Sequence, residues 1–276
     1  MDLWELFIAF VLGVVEGLTE FAPVSSTGHM VIVDDMLFQS KELLTPPVAN
    51  TFKVVIQIGS ILATVFIFRD RFLSLLGLKK IRSESGEPGQ KFRLSQVIVG
   101  LLPACVLGLL FEDYIDEYLF SIKTVVCALV AGSVLMIAAD LLRPRRPKVT
   151  SLDQITHRQA FLIGLFQCLS LWPGFSRSGA TISGGVWLGL NHRTASDFTF
   201  IMAVPIMFGA SFLSLLKNWQ YFTADVIPFF AVGFVSAFLF AWLAIRFFLR
   251  LINRIKLIPF ALYRIALAAV LCLIAF

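Results

Sequence analysis

The 276-residue chain is 58% hydrophobic and 15% charged, with 23 Lys and Arg against 18 Asp and Glu. Its mean hydropathy of +0.86 excludes an ordinary soluble domain, and several runs reach the roughly 20 residues that cross a bilayer. Sixteen of the 23 basic residues fall in Arg69–Arg93, Arg143–Arg158 and Arg246–Lys256, which fits membrane orientation and argues against a nucleic-acid footprint.

In chain order, Asp2 and Glu5 occupy the start where a removable signal would be basic, so none is expected. Residues 3–36 are apolar but broken, by Pro23 and by Gly13, Gly17 and Gly28. Continuous spans are expected near 51–68, 95–111, 119–142, 195–216, 225–247 and 257–276, with a second broken segment at 158–190. The four cysteines (Cys105, Cys127, Cys168, Cys272) show neither disulfide nor metal-ligand spacing and read as buried small hydrophobes.

If the three basic regions are cytoplasmic, six spans thread without contradiction, with an acidic outer turn at Glu112, Asp113, Asp116 and Glu117. Both termini then lie on the outer side. The broken segments have no room to cross, so each is expected to enter and return as a re-entrant helix pair. At an offset of 151 residues, Gly13 aligns with Gly164, Glu16 with Gln167, Leu18 with Leu169, Ser25 with Ser176 and Gly28 with Gly179. The expected architecture is therefore an all-α polytopic membrane protein of six transmembrane helices plus two re-entrant pairs, in two inverted-topology repeats. It forms a single membrane domain, with repeat one at 1–142, a basic cytoplasmic linker at 143–157 and repeat two at 158–276.

The chemistry concentrates in the breaks. An ionised group at the bilayer centre costs roughly 2.5–3.5 kcal/mol, so intramembrane clusters point to function. Glu16 and Glu20 share one helix face and resist joint ionisation unless a cation or arginine compensates. Ser25, Ser26, Thr27 and Gly28 then open a second half-helix, either as an anion-binding terminus or as a plain N-cap. His29 reads as an acid/base or orienting group beside them, or as a satisfied core histidine. In the second break Arg177 stands between Ser176 and Ser178, with Thr181 one turn on. Its planar donor fork suits phosphate and would also offset the glutamates, as a clamp or as a structural Arg177–Glu20 pair. A hydroxyl nucleophile, a base, carboxylates able to hold a divalent cation and a phosphate clamp suffice for phosphoryl transfer.

Outside the breaks, Asp140 and Arg264 are expected near cytoplasmic span ends, snorkelling to water. Asp34 and Asp35 should close the first re-entrant segment near the outer surface, and Asp197, beside Arg193, should start a helix.

At Glu16–Met30 (EGLTEFAPVSSTGHM) and Pro173–Thr181 (PGFSRSGAT) the chain resembles the bacterial undecaprenyl-diphosphate phosphatases, the bacitracin-resistance membrane phosphatases, over essentially its whole length. The resemblance implies an inner-membrane enzyme that removes the terminal phosphate of a C55 polyprenyl diphosphate, with Mg²⁺ or Ca²⁺ and a site opening to the periplasmic side. It implies essential roles for Glu16, Glu20, Ser26, His29 and Arg177. The expected assignment is catalysis by Glu20, Ser26, His29 and Arg177, and metal binding by Glu16 and Glu20. Substrate contacts are expected from Glu16, Ser25, Thr27, Gly28, Ser176, Ser178 and Thr181. Expected partners are the polyprenyl lipid and membrane lipids, and a homo-oligomer is left open. The rival class is a transporter or lipid flippase, since inverted repeats with discontinuous helices are typical of secondary transporters.

Overall fold

The structure, a computed structural model, describes residues 2–79, 91–119 and 121–275, without the side chains of Glu112 and Asp116. The middle of the Arg69–Arg93 basic region thus lies outside the described residues, and two of the four acidic residues at 112–117 are described by their backbone alone. All regular structure described is helical. The helices are α1 (Leu3–Thr19), α2 (Ser26–Met30), α3 (Ser40–Leu43), α4 (Pro46–Ile67), α5 (Arg69–Leu75), α6 (Leu94–Leu110) and α7 (Glu112–Tyr118). They continue with α8 (Ile122–Leu142), α9 (His157–Cys168), α10 (Arg177–Trp187), α11 (His192–Asn218), α12 (Ile227–Ile255) and α13 (Ile258–Ala275).

Five helices are long and apolar enough to cross a bilayer: α4, α8, α11, α12 and α13. They match five of the six expected spans; the other is α6, apolar but only 17 residues long. Large apolar side chains such as Phe66, Leu109, Phe247 and Leu273 cover the outside of the bundle. An exposed apolar surface of that kind marks an integral membrane protein.

Local chemistry sets the helix boundaries. Asp2 and Glu5 form a capping box that starts α1, with both backbone-to-carboxylate bonds at 2.8 Å. Pro46 and Pro47 open α4, where a missing N–H costs nothing. Asn191 caps α11 by accepting from the Thr194 N–H at 2.7 Å. Asp197 therefore does not start the helix; it pairs with Arg193 one turn back at 3.0 Å.

Asp140 is also placed differently from the sequence expectation. It is buried rather than snorkelling, accepts from His192 Nε2 at 2.6 Å, and caps α13 through the Leu257 and Ile258 N–H groups at 2.8 and 3.0 Å. A carboxylate at a helix N-terminus satisfies free donors and complements the dipole. The cysteines are free, but none is fully buried, and Cys127 and Cys272 lie on exposed faces.

Two helix crossings bring the broken segments against the long helices. On α1, a Cβ at Gly13 would collide with the Gly233 carbonyl of α12; on α9, one at Gly164 would collide with the Gly100 carbonyl of α6. Glycine at such crossings lets backbones approach closely, as membrane helix packing favours. The first two basic regions are in contact, and the third bonds the start of α11. Arg71 lies 3.5 Å from Asp153, whose carboxylate also accepts from the Phe92 N–H, and the Arg193 N–H donates to Asn253 Oδ1 at 3.0 Å.

Candidate active site

The first break follows directly from its sequence. α1 ends at Thr19, the chain turns through Phe21–Val24 around Pro23, and Ser25 takes a positive φ of 71° before α2. That backbone is strained for a residue with a Cβ. Ser25 Oγ compensates by accepting from the Gly28 N–H at 3.3 Å. The second break repeats the device: Ser176 has φ 71° and accepts from the Gly179 N–H at 3.2 Å. Of the two readings of these hydroxyls, the geometry is that of N-caps for Ser25 and Ser176, and it engages the Gly28 and Gly179 amides internally.

The breaks face each other through one chain of polar contacts. Ser26 Oγ donates to Glu20 Oε2 at 2.6 Å, and Arg177 Nη2 donates to Glu20 Oε1 at 2.5 Å. A hydroxyl bonded to a carboxylate that a third group orients is the arrangement of an activated nucleophile. The Arg177–Glu20 pair foreseen from sequence joins residues 157 positions apart. Ser178 Oγ adds a second link by donating to the Ala22 carbonyl at 3.0 Å.

Two cavities meet at this chain. The inner one, about 280 Å³, is bordered by Ser25, Gln167, Ser176 and Arg177; the outer one, about 650 Å³, by Glu16, Asn50 and Lys53. Glu20, Ser26, Thr27 and Gln57 border both. Seven of the eleven expected site residues therefore border the two cavities: Glu16, Glu20, Ser25, Ser26, Thr27, Ser176 and Arg177.

Four others sit elsewhere. Thr181 is buried, donating to the Arg177 carbonyl at 2.8 Å and accepting from Thr199 Oγ1 at 2.8 Å. Ser178 and Gly28 border neither cavity; a Cβ at Gly28 would press on Leu267 and Leu129. His29 has both ring nitrogens committed. Nδ1 lies 2.8 Å from the Ser25 carbonyl, which can only accept, so Nε2 is left to accept from the Tyr263 hydroxyl at 2.6 Å. The rings also stack, with centroids 5.6 Å apart. His29 is thus bonded to the Ser25 turn and to Tyr263, and the carboxylate touching Ser26 is Glu20.

Sequence reasoning passed over two features. Asn50, Lys53 and Gln57 form a polar stripe at helical spacing on α4, a pattern visible in the sequence as breaks in an apolar span. Lys53 pairs with Asp34 at 2.6 Å and Asp35 at 3.3 Å; Asp34 is buried and accepts from the Ser40 N–H at 3.1 Å where the segment ends, and Asp35 is exposed. Arg264, expected to snorkel, is completely buried. Its Nη2 reaches the carbonyls of Phe175 at 2.8 Å, Gly174 at 3.1 Å, Leu129 at 3.2 Å and Ala128 at 3.4 Å. It fixes the turn that delivers Ser176 and Arg177.

A cation can be tested against these donors. Both Glu20 oxygens are engaged, whereas the buried Glu16 carboxylate borders the outer cavity and has no hydrogen bond among the described residues. Among the described residues no three His, Cys, Asp or Glu side chains converge as a complete metal cage. Hard divalent cations commonly use one or two carboxylates plus substrate phosphate; Glu16 is the carboxylate left open for one, and Glu20 could join it only by sharing an oxygen already bonded to Ser26 or Arg177.

The sequence profile of the family described as "Bacitracin resistance protein BacA" matches residues 9–270. A Geobacillus sp. (strain WCH70) protein named undecaprenyl-diphosphatase is 65% identical over 276 residues, covering all of both chains. Similarly named proteins of Bacillus subtilis (strain 168) and Exiguobacterium sibiricum are 63% and 64% identical, covering 99% and 100% of both chains. The chain belongs to the bacitracin resistance protein BacA family.

Proposed function

We propose that this protein is an integral membrane phosphatase that hydrolyses undecaprenyl diphosphate to undecaprenyl phosphate and inorganic phosphate, recycling the lipid carrier for cell-wall synthesis. The observation that carries the reading is the Ser26–Glu20–Arg177 chain at the junction of two cavities, in a member of this family.

Ser26 Oγ attacks the terminal phosphorus while Glu20 Oε2, already 2.6 Å away, takes its proton. The bond from that phosphorus to the bridging oxygen breaks, and the lipid monophosphate leaves with the electron pair. Arg177 keeps one N–H on Glu20 and turns its remaining donors to the phosphoryl oxygens, where charge develops. Glu20 gives its proton to the water of the outer cavity. It then activates a water that attacks the phosphoserine, restoring Ser26 and releasing phosphate. His29 and Tyr263 hold the Ser25 turn, and so the position of Ser26. Glu16, with Glu20, would hold Mg²⁺ or Ca²⁺, which when bound supplies charge neutralisation to the phosphates.

The proposed topology is six crossings with two re-entrant pairs, as inverted repeats at 1–142 and 158–276 joined by a basic linker. It is supported by the shared φ of 71° at Ser25 and Ser176 and by the paired glycine crossings Gly13–Gly233 and Gly164–Gly100. The clustered basic regions favour a cytoplasmic end there, so the site opens to the periplasmic face of the bacterial inner membrane, where both termini lie. Single cysteines near Asp35 and Arg145 should be labelled by impermeant reagents from opposite sides; labelling of both from one side contradicts this threading.

The activity is tested by phosphate release from purified protein with undecaprenyl diphosphate in detergent, where no gradient exists. Release supports the phosphatase. Transport of the lipid in vesicles without any phosphate release would favour the transporter class.

A further inference from the structure

Gln167 lies one turn before the second break on α9, at the position that aligns with Glu16. Its side chain is 1% exposed and borders the inner cavity, yet neither its Oε1 nor its Nε2 has a hydrogen-bond partner among the described residues. A buried amide with both ends unsatisfied is costly and calls for an explanation in a ligand or a function. Its surroundings identify the chemistry. The polar end of the cavity carries Arg177, Ser170 and Ser176, and Ser170 is oriented by donating to the Gln167 backbone carbonyl at 2.6 Å. Its apolar lining is Ala104, Leu171, Ile206, Met207 and Ala210. Ala210 lies exposed on the outside of the bundle, beyond Pro205 within α11. The outer cavity carries the charged Asp35, Lys41 and Lys53 beside an apolar lining of Met30, Val31, Val54, Ile122 and Val125. The inner side of Ser26 thus joins a phosphate-binding group, Arg177, to an apolar lining that reaches the outside of the bundle at Ala210, and the lysines lie on the other side.

We propose that Gln167 binds the phosphate retained on the lipid, with its Nε2 donating to a phosphate oxygen inside the inner cavity, and so acts as a specificity residue for diphosphate substrates. The terminal phosphate then sits over Ser26, and the inorganic phosphate leaves through the outer cavity. A neutral amide suits this place because a carboxylate there would repel the phosphate that Arg177 attracts. Glu16, on the outer cavity, faces the opposite requirement, since its carboxylate is placed to favour a cation. The two aligned positions thus differ in charge as the two sides of the cleaved bond differ in need.

The inference rests on the phosphatase reading, and the experiment separates their failures. Wild-type protein, Gln167→Leu and Gln167→Glu are compared for kcat and KM with undecaprenyl diphosphate. The same proteins are measured for inhibition by undecaprenyl phosphate and by inorganic phosphate. Gln167→Leu should raise KM and the lipid-monophosphate inhibition constant together by about tenfold, the worth of one hydrogen bond to a charged group. Inhibition by inorganic phosphate should stay unchanged. Gln167→Glu, nearly isosteric, should weaken both lipid constants further, and it carries the test if the leucine variant does not fold. Unchanged lipid constants in a folded variant of an active enzyme would overturn the inference, as would a purely kcat effect. Absence of hydrolysis by the wild-type protein would instead overturn the phosphatase reading.

Discussion

Replacing Arg264 with methionine should unfasten the turn that holds Arg177, although Arg264 borders neither cavity. Of the four carbonyls it reaches, those of Ala128 and Leu129 lie within α8, where helical donors serve them. Those of Gly174 and Phe175 lie in the turn before α10 and would lose their donor. An abandoned buried acceptor costs about 1–3 kcal/mol, so the two together cost about 2–6 kcal/mol. Relief from burying a guanidinium with no carboxylate partner among the described residues offsets part of this, leaving about 2–4 kcal/mol. In a chain of this size that lowers the thermal midpoint by about 5–10 °C. A shift of the turn by an ångström would displace Arg177 from Glu20 and reduce kcat by about 10²-fold. Thermal unfolding in detergent and steady-state phosphate release measure both. Arg264→Lys, which keeps a charged donor without the planar fork, should recover part of each. Wild-type stability and kcat in Arg264→Met would refute the reasoning.

Further outcomes follow from the same geometry. Tyr263→Phe removes the hydroxyl on His29 Nε2 and should lower kcat by less than about tenfold with little change in KM; a loss comparable to that of Glu20→Gln would mean that His29 handles the transferred proton. Glu20→Gln should reduce kcat by about 10²–10⁴-fold, since it removes the base and the partner of Arg177 together. Gly164→Leu would drive a side chain into the Gly100 carbonyl and should destabilise the α6–α9 crossing by about 1–3 kcal/mol, visible in thermal unfolding; a neutral result would show that this crossing has slack.

Much of the site is legible in the sequence because its features are local. Proline, glycine and clustered polar residues inside an apolar chain announce the two breaks, and the four-residue spacing of Glu16 and Glu20 puts them on one face. The Arg177–Glu20 pair was also within reach, since each charge needs a partner in that setting. What sequence reasoning missed is non-local. The buried place of Arg264 is made by the lack of side chains at Gly132 and Gly179, on two other helices, and by carbonyls of a turn about 90 residues away in the chain. His29 finds its partner, Tyr263, 234 positions later, a contact that its neighbours in sequence could not suggest. Asp140 likewise caps a helix that begins more than a hundred positions on. The α4 stripe of Asn50, Lys53 and Gln57 was legible, but it stood inside a span read only for its hydropathy.

The central claim is that Ser26, activated by Glu20 and faced by Arg177, attacks the terminal phosphorus. The most direct measurement is an acid-quenched single turnover with undecaprenyl diphosphate labelled in its terminal phosphate. Transient label on the Ser26 peptide, and loss of both label and turnover in Ser26→Ala, is the predicted result. Free phosphate formed without labelled protein, together with appreciable hydrolysis by Ser26→Ala, would contradict it.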